Sequence, residues 1–452
     1  MVAGTVGTLA VHSSPWGHAG GHQTEAADAG GSVTTAVDMT YVAFVDVNVV
    51  PMDSDEILRH QVVVVQGDLI QQMGPVGVVE PPAGARVVDG GGSRYLVPGL
   101  TDAHVHLPDG AEAWLPLFVA NGVTTIFNLE GDESHLRLRE RIRSGDVVGP
   151  NLYTAGPFTN EPEVTTPGQA TATVRRQAEL GYDFVKVHGD LREDVFRALT
   201  EAGLAEGIPI VGHAPRNLPF SAVLKNGQAS IVHAEDLIYT RFPLLDTGEL
   251  SAVAEEMASA GTWLTPTLST FHSIMSQWAR AEGLVRSLES PAAQYLPAGL
   301  RESWKDDNPY VARNTLDRSS IEAMYEFQQP LIRALHGAGV PMLTGTDAPV
   351  PGMTPGFSLH DEIEALRDAG LTDYDALVAA THNAGRFVRD HVDPSARFGS
   401  VRVGARADLV LVEGDPTERL ELLRHPQGVM VSGHWYDRDA LDRMLANVRG
   451  SR

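Results

Sequence analysis

Short Val-rich runs, separated by Asp, Gly and Pro, lie towards both ends of the chain. YVAFVDVNVV and RHQVVVVQGDLI occur within residues 41–70, and FGSVRVGARADLVLVEGD and GVMVSGHWY occur within residues 398–436. Runs of this kind are typical of antiparallel strands. Because chain termini often lie close together, residues 41–96 and 391–436 are predicted to pair into one small β-sandwich domain.

The middle of the chain alternates short apolar runs with amphipathic helical segments. This alternation is typical of parallel β/α architecture, and eight such units predict a TIM (β/α)8 barrel over residues 97–390. The predicted fold class is therefore α/β, a barrel with a small β-sandwich domain. The eight predicted strands are 95–107, 123–131, 151–158, 183–190, 209–215, 229–236, 262–268 and 341–349.

Three segments fall outside this pattern. Residues 1–40 are rich in Gly, Ala, Thr and Ser and predict a flexible N-terminal extension, and residues 437–452 are assigned as a C-terminal tail. The gap 269–340 is far longer than an ordinary connection and carries several aromatic residues. It predicts a helical lid or additional packing on the barrel wall, with packing favoured for most of the aromatic residues.

Composition narrows the chemistry. With 34 Lys+Arg against 58 Asp+Glu, the net charge is −24, which argues against a nucleic-acid partner. The absence of cysteine excludes disulfides, thiolate metal sites and a cysteine nucleophile, so any metal must be held by histidine and carboxylate-type ligands. No apolar run approaches the length of a membrane span. No positive charge precedes the apolar stretch near the N-terminus, so a cytoplasmic location is expected, with secretion left open.

Ionisable residues recur where the predicted strands end. Residues i and i+2 of a strand share a face, and the carboxyl ends of parallel strands in a barrel surround one site. A lone histidine in a barrel is ordinarily structural, but six such positions together predict a metal centre. They are His104, His106, Lys186, His213, His233 and Asp347.

These motifs resemble the amidohydrolase superfamily over about residues 41–435. The resemblance rests on VPGLTDAHVHL, the lysine of predicted strand four, GHAP, VHAED, GTDAP and FGSVRVGARADLVLVEGDP. TPGFSLHDEIEAL and GYDFVKVHGDL are similar to the imidazolonepropionase-related branch that includes Xaa-Pro dipeptidases. In that branch's Xaa-Pro-cleaving members a Gly- and His-rich segment follows strand three, whereas this chain has GPFTNEPEVTTPG, which argues against a dedicated prolidase.

The resemblance implies a cofactor of two divalent metal ions, with zinc expected. His104, His106 and Asp347 would hold one ion and His213 and His233 the other, while a carboxylated Lys186 would bridge both. A carbamate adds two oxygens and a negative charge, whereas a bare ammonium would repel the cations. A hydroxide shared by the ions would attack the substrate, and the catalytic residue Asp347 would carry its proton to the leaving amine.

Two further residues are weaker candidates for substrate binding. His188 lies two positions after Lys186 and should share its inward face, and Tyr239 lies just after the sixth predicted strand. Either residue could contact the substrate, polarise a carbonyl or bind a carboxylate. For both, a packing role is the simpler alternative.

The leading hypothesis is hydrolysis of an amide-type C–N bond in an N-acyl amino acid, a dipeptide or a xenobiotic amide, without a covalent intermediate. Lactone, ester or phosphotriester hydrolysis is an alternative, because the same hydroxide attacks any suitable electrophile. Deamination or imidazolone-ring opening is a further alternative, although relatives of that kind lack the lysine of strand four. A non-enzymatic scaffold would purify without stoichiometric metal. We expect a small-molecule substrate, no nucleic-acid or membrane partner, and a homo-oligomer.

Overall fold

The structure is a computed structural model that describes residues 41–312 and 316–450. The predicted extension 1–40 lies outside the described residues. The strands of the described residues are β1 (Tyr41–Val49), β2 (Leu58–Gln66), β3 (Leu69–Pro75), β4 (Arg86–Asp89), β5 (Tyr95–Pro98), β6 (Leu100–Val105), β7 (Val123–Asn128), β8 (Asn151–Thr154), β9 (Val185–Val187), β10 (Ile210–Gly212), β11 (Ser230–Val232), β12 (Trp263–Thr265), β13 (Leu409–Val412), β14 (Gly428–Val431) and β15 (His434–Asp437).

Helices connect and cover these strands. Among the described residues, no helix is long and apolar enough to cross a membrane. The helices are α1 (Leu115–Ala120), α2 (Glu133–Arg143), α3 (Pro167–Leu180), α4 (Glu193–Glu206), α5 (Phe220–Lys225), α6 (Ala234–Arg241), α7 (Leu250–Ala260), α8 (Leu268–Gln277), α9 (Ala281–Glu289), α10 (Ala298–Asp306), α11 (Arg318–Gly337), α12 (Ser358–Asp368), α13 (Asp373–Ala380), α14 (His382–His391) and α15 (Arg438–Gly450).

Both ends of the chain contribute to one eight-stranded sheet. Its order is β15-β14-β13-β5-β1-β2-β3, and β4 pairs with β1. The two ends meet where β13 pairs antiparallel with β5, with Leu409 opposite Pro98. Inward residues of both ends, including Phe44 and Leu411, share one hydrophobic cluster. Strands from the two terminal β segments therefore share one sheet, whereas the small β-sandwich domain of residues 41–96 and 391–436 stays a prediction.

The central strands form two parallel sheets. Their orders are β6-β7-β8 and β12-β11-β10-β9. Helices lie between successive strands, as between β9 and β10, where α4 buries Val195, Phe196 and Leu199. The predicted α/β architecture with parallel strands is confirmed.

The last predicted strand of the barrel, 341–349, is not a regular strand. Isolated parallel bridges join it to Leu264 of β12 and to Val105 of β6, so its backbone lies between these two strands. Asp347 has a φ of 53°, which extended strands do not adopt, and the ladder is interrupted there. The described ladders thus form two sheets, and the closed eight-stranded barrel stays a prediction.

The first predicted strand, 95–107, divides between two sheets at Gly99. The part before this glycine is β5 of the terminal sheet, and the part after it is β6 of a parallel sheet. A Cβ atom at Gly99 would lie 2.0 Å from Oγ1 of Thr124, so glycine allows β7 to approach this junction. The division places His104 in the sheet β6-β7-β8, where β6 lies beside the segment 341–349 that carries Asp347.

The segment 269–340 is largely helical and contains most of α8 together with α9, α10 and α11. Its large aromatic side chains are mainly buried, which agrees with the packing role rather than with a lid. At the other end of the chain, α15 lies within the segment assigned as a tail and buries Leu441. The buried aromatic residues of the long segment are Phe271, Trp278, Trp304 and Phe327.

Candidate metal centre

The structure brings all six predicted ligand residues to one edge of the parallel sheets. Parallel strands end at a common edge, so side chains from strands distant in sequence meet there. In chain order, the six are His104 of β6, His106 directly after β6, Lys186 of β9, His213 after β10, His233 after β11 and Asp347 of the segment 341–349.

Asp347 lies between three of the histidines. Its Oδ1 is 3.3 Å from Nε2 of His104 and 3.0 Å from Nε2 of His106. Its Oδ2 is 4.0 Å from Nε2 of His233. Ligand atoms of His104, His233 and Asp347 all lie within 4.8 Å of one another, a spacing that a single metal ion could span.

Lys186 and His213 complete the cluster. Lys186 is completely buried, and its Nζ lies 3.3 Å from Nε2 of His104. The ring of His213 is centred 4.6 Å from that of His233. A fully buried lysine beside histidines lacks the water that would ordinarily solvate its charge. We therefore expect another group at this site that compensates for the charge.

Two carboxylates orient histidine rings from behind. Nδ1 of His213 donates to Oδ2 of Asp236 at 2.8 Å, and Nδ1 of His106 lies 3.2 Å from Oε2 of Glu130. A proton held on Nδ1 leaves the lone pair on Nε2, which is the arrangement found in metal-binding histidines. The His213 ring is therefore set to act as a ligand through Nε2, whereas both ring nitrogens of His106 face carboxylates, Nδ1 facing Glu130 and Nε2 facing Asp347.

Strained backbone accompanies the cluster. His233 has a φ of 70°, and its Nδ1 lies 2.8 Å from Oγ1 of Thr267, which has a φ of 54°. Together with Asp347 at 53°, three residues other than glycine occupy the left-handed region within the site. Such conformations cost energy and concentrate at functional sites, where the surrounding structure holds them.

Burial keeps three of the four histidines neutral. It lowers the pKa of His104, His213 and His233 well below the usual value, and the charge of Lys186 lowers it further. The pKa of His106 is instead raised, because its hydrogen bonds with Asp347 and Glu130 outweigh the effect of burial. Burial also lowers the pKa of Lys186 to about 8, although nearby carboxylates oppose this. Burial alone would raise the pKa of Asp347, but the hydrogen bond from His106 and the neighbouring positive charges hold it well below its usual range.

Of the two candidate substrate residues, Tyr239 belongs to the network behind His213. The Arg216 guanidinium lies 4.1 Å above the Tyr239 ring and donates to Oδ1 of Asp236 at 3.1 Å. Asp236 also accepts from the backbone N of Ala214 at 3.2 Å. A contact of Tyr239 with substrate stays a prediction.

His188 lies beside the cluster. Its ring stacks on Phe158 with centroids 4.1 Å apart, and its centroid is 5.1 Å from that of His213. Burial and the charge of Lys186 lower its pKa to about 4, so the ring is neutral at neutral pH. The structure thus places His188 next to a candidate ligand, and its contact with substrate stays a prediction.

Sequence analysis missed the carboxylates that support the ligands, which are the buried Asp236 and Asp102 and the partly exposed Glu130. Asp102 accepts from Oγ1 of Thr346 at 2.6 Å and from the backbone N of His104 at 3.3 Å. This joins β6 to the segment that carries Asp347, and burial raises the pKa of Asp102 to about 7. Spacing offered a signal, because Asp102 precedes His104 by two residues and Asp236 follows His233 by three.

The chain belongs to the amidohydrolase family, whose model matches residues 95–436. This confirms the superfamily that the sequence motifs indicate. An uncharacterized protein of Mycobacterium tuberculosis is 26% identical over 387 residues, which cover 79% of this chain and 89% of the relative.

Solved structures with the same fold include enzymes of differing specificity. Bottromycin amidohydrolase is 25% identical with a TM-score of 0.70, covering 91% of this chain and 90% of its own. A Xaa-Pro dipeptidase with methionine bound in its active site is 18% identical with a TM-score of 0.68, covering 88% and 100%. The ochratoxinase of A. niger is 19% identical with a TM-score of 0.64, covering 88% and 96%.

Proposed function

We propose that this chain hydrolyses an amide-type C–N bond of a small molecule and that it uses two divalent zinc ions for this reaction. The observation that carries the proposal is the convergence of four histidines, Lys186 and Asp347 in one buried cluster. The family match supports a hydrolase, and similar structures include a dipeptidase and an amidohydrolase. The isolated bridges that join residues 341–349 to β12 and β6 support a closed barrel around this site.

The donor set fits such a metal centre. Neutral imidazole nitrogens and a carboxylate are the ligands that zinc prefers where thiolates are absent. Nδ1 of His213 faces a carboxylate, which leaves its Nε2 available, and Nε2 of His106 lies 3.0 Å from Oδ1 of Asp347, a ligand that we assign to the same ion. We assign His104, His106 and Asp347 to one ion and His213 and His233 to the other. When bound, the ions would lower the pKa of a shared water molecule and polarise the scissile carbonyl.

Lys186 fits the role of a bridging ligand once it is carboxylated. Because burial lowers its pKa to about 8, an appreciable fraction of its amine is unprotonated at neutral pH. The neutral Nζ can bond to the carbon of carbon dioxide and release a proton, which yields a carbamate anion. The product replaces a positive charge by a negative one, which suits a cluster that holds cations.

Asp347 is the residue that we propose as the proton carrier. Its low pKa keeps it ionised, and its two oxygens face different histidines. One oxygen would remain a metal ligand, while the other accepts the proton of the attacking water and passes it to the leaving amine. The sequence has no cysteine and no GxSxG motif, so no covalent acyl-enzyme is proposed.

The proposed substrate is a neutral or anionic amide such as an N-acyl amino acid, a dipeptide or an aryl amide. Purified protein should contain about two equivalents of metal by plasma mass spectrometry, and a library of these compounds should be screened for amine release. Chelation should abolish hydrolysis, and zinc, manganese or cobalt should restore it. Full activity after the metal is stripped, or a burst of trapped acyl product, would contradict the proposal.

A matched pair of variants separates the metal centre from general effects of losing a histidine. His213→Asn should lose metal and activity together. His60→Asn changes a surface histidine that also pairs with an aspartate, its Nδ1 lying 2.7 Å from Oδ1 of Asp46. This control should keep both metal and activity, and equal losses in the two variants would count against the assigned ligand set.

A further inference from the structure

A cavity lies away from the metal centre, between helix α14 and the loop that follows it. Its volume is about 220 Å³. Arg386 and Arg389 of α14 line one side, and Arg397 and Arg402 of the loop line the other. Asp53, from the connection between β1 and β2, is the one acidic residue in the lining.

Close backbone packing holds the two sides of this cavity together. A Cβ atom at Gly385 of α14 would lie 2.0 Å from the carbonyl oxygen of Phe398, so glycine permits the helix and loop to touch. The backbone N of Val401 donates to the carbonyl of Pro51 at 3.0 Å, which fixes the loop against the connection that carries Asp53. These contacts hold the backbone segments that carry the arginines in place relative to one another.

Positive charge in the cavity is incompletely neutralised. Nε of Arg402 is 3.9 Å from Oδ2 of Asp53, and Nε of Arg389 donates to Oδ1 of Asp390 at 3.1 Å. No ion pair is found for Arg386 or Arg397 within residues 41–312 and 316–450. Four arginines and one aspartate thus line this cavity, although the net charge of the whole chain is −24.

The pKa values of Arg386 and His382 agree with this excess of positive charge. Burial lowers the pKa of Arg386 and the charge of Arg389 lowers it further, against the opposing effect of Asp390. Burial lowers the pKa of His382, the first residue of α14, and the surrounding arginines lower it further against the opposing effect of Asp53. A bound anion would relieve this repulsion.

The cavity lies at the opposite end of the strands from the metal centre. The Arg386 guanidinium lies 4.5 Å from the ring centroid of Trp263, the first residue of β12. By contrast, the carbonyl of Thr265, the last residue of β12, accepts a hydrogen bond from the backbone N of His233. Occupants of the two sites therefore do not compete for the same space.

We infer that this cavity, which we name the arginine cavity, binds a small molecule bearing a phosphate group. Guanidinium groups bind oxyanions through paired charge-assisted hydrogen bonds, and several together favour a divalent anion over a monovalent one. Drug-sized ligands occupy about 300–1,000 Å³, so a smaller ligand fits, such as inorganic phosphate or a small phosphate monoester. Ser400 adds a hydroxyl to the lining.

The test is calorimetric titration of the metal-loaded protein with inorganic phosphate and, separately, with glycerol 3-phosphate. Ionic strength is held constant with chloride, because screening weakens any surface attraction. The two titrations distinguish free phosphate from an organic monoester. Saturable binding of at least one of them is expected, and a raised melting temperature should accompany it. Absence of saturable binding, or equal binding of succinate, would overturn the inference.

Variants locate the binding. Arg386→Gln combined with Arg397→Gln should weaken binding at least about tenfold, which is the loss of about 1.4 kcal/mol. Arg175→Gln is the control, because Arg175 is an exposed arginine of α3 that pairs with Glu206 outside the cavity. Should the double variant fail to fold, Arg397→Gln alone supplies the test, because that side chain is exposed.

Phosphate bound at the metal centre would give a different result. It would inhibit hydrolysis competitively, and its affinity would be the same in wild type and in the double variant. Unchanged affinity in a folded variant would therefore overturn the inference without affecting the proposed hydrolase. Conversely, absence of amide hydrolysis would leave the expected phosphate titration and its dependence on Arg397 unchanged.

Discussion

Replacing Asp236 with asparagine removes one negative charge from the completely buried group that orients His213. Asp236 accepts from Nδ1 of His213 at 2.8 Å and from Arg216 at 3.1 Å. An asparagine offers only one oxygen to these two donors. If that oxygen faces Arg216, the amide NH2 faces Nδ1 and moves the imidazole proton to Nε2, where it blocks metal binding.

The expected magnitude has two parts. Loss of a hydrogen bond that supports a metal ligand costs about 10–100-fold in metal affinity, or about 1.4–2.8 kcal/mol. Breaking a fully buried ion pair costs about 3–5 kcal/mol of stability. The Arg216 side chain keeps 18% exposure and its contact with Tyr239, so the loss of unfolding free energy should fall below that range.

Metal affinity is measured by competition with a chromophoric chelator, and stability by urea unfolding of the metal-free protein. The matched control is Asp46→Asn, because Asp46 also pairs with a histidine but lies at the surface, 35% exposed. Asp46→Asn should leave metal affinity unchanged. If Asp236→Asn loses stability but keeps wild-type metal affinity, Asp236 is purely structural and the argument about the His213 tautomer is wrong.

Three further predictions concern buried ionisable groups. Lys186→Ala should lose most of the hydrolytic activity and regain part of it when short carboxylic acids are added. If these acids restore no activity and the protein binds a single metal ion tightly, the site is mononuclear. Asp347→Asn should leave KM roughly unchanged and lower kcat by about 10²–10⁴-fold, whereas wild-type kcat would exclude Asp347 as the proton carrier. Burial raises the pKa of Glu362 from 4.5 to about 7, so its contribution lowers unfolding free energy as pH rises across that interval, by up to about 3 kcal/mol. Glu362→Gln should flatten this dependence in denaturant titrations, and an unchanged pH profile would contradict the assignment.

Local pattern was sufficient to predict the α/β class of this chain and most of its central strands. Val-rich runs at both ends predicted strands, which pair through β13 and β5, and apolar runs alternating with helical segments in the middle predicted parallel strands. Each of these signals lies within a few neighbouring residues, and burial of one face of an element suffices to produce it. The six candidate ligands were found for the same reason, since each stands at or near the end of an apolar run.

Tertiary structure decided what depends on contacts between distant segments. The segment 341–349 is held between β12 and β6 with Asp347 at positive φ, although its sequence predicts an ordinary strand. Only the folded chain shows that Asp236 stands behind His213, because their partnership depends on the neighbouring ends of two strands. The arginine cavity likewise joins α14 to residues near Asp53, more than three hundred positions earlier in the sequence. Sequence pattern predicts the elements and the residues at their ends, whereas hydrogen bonds and charge between distant elements arise only when packing brings them together.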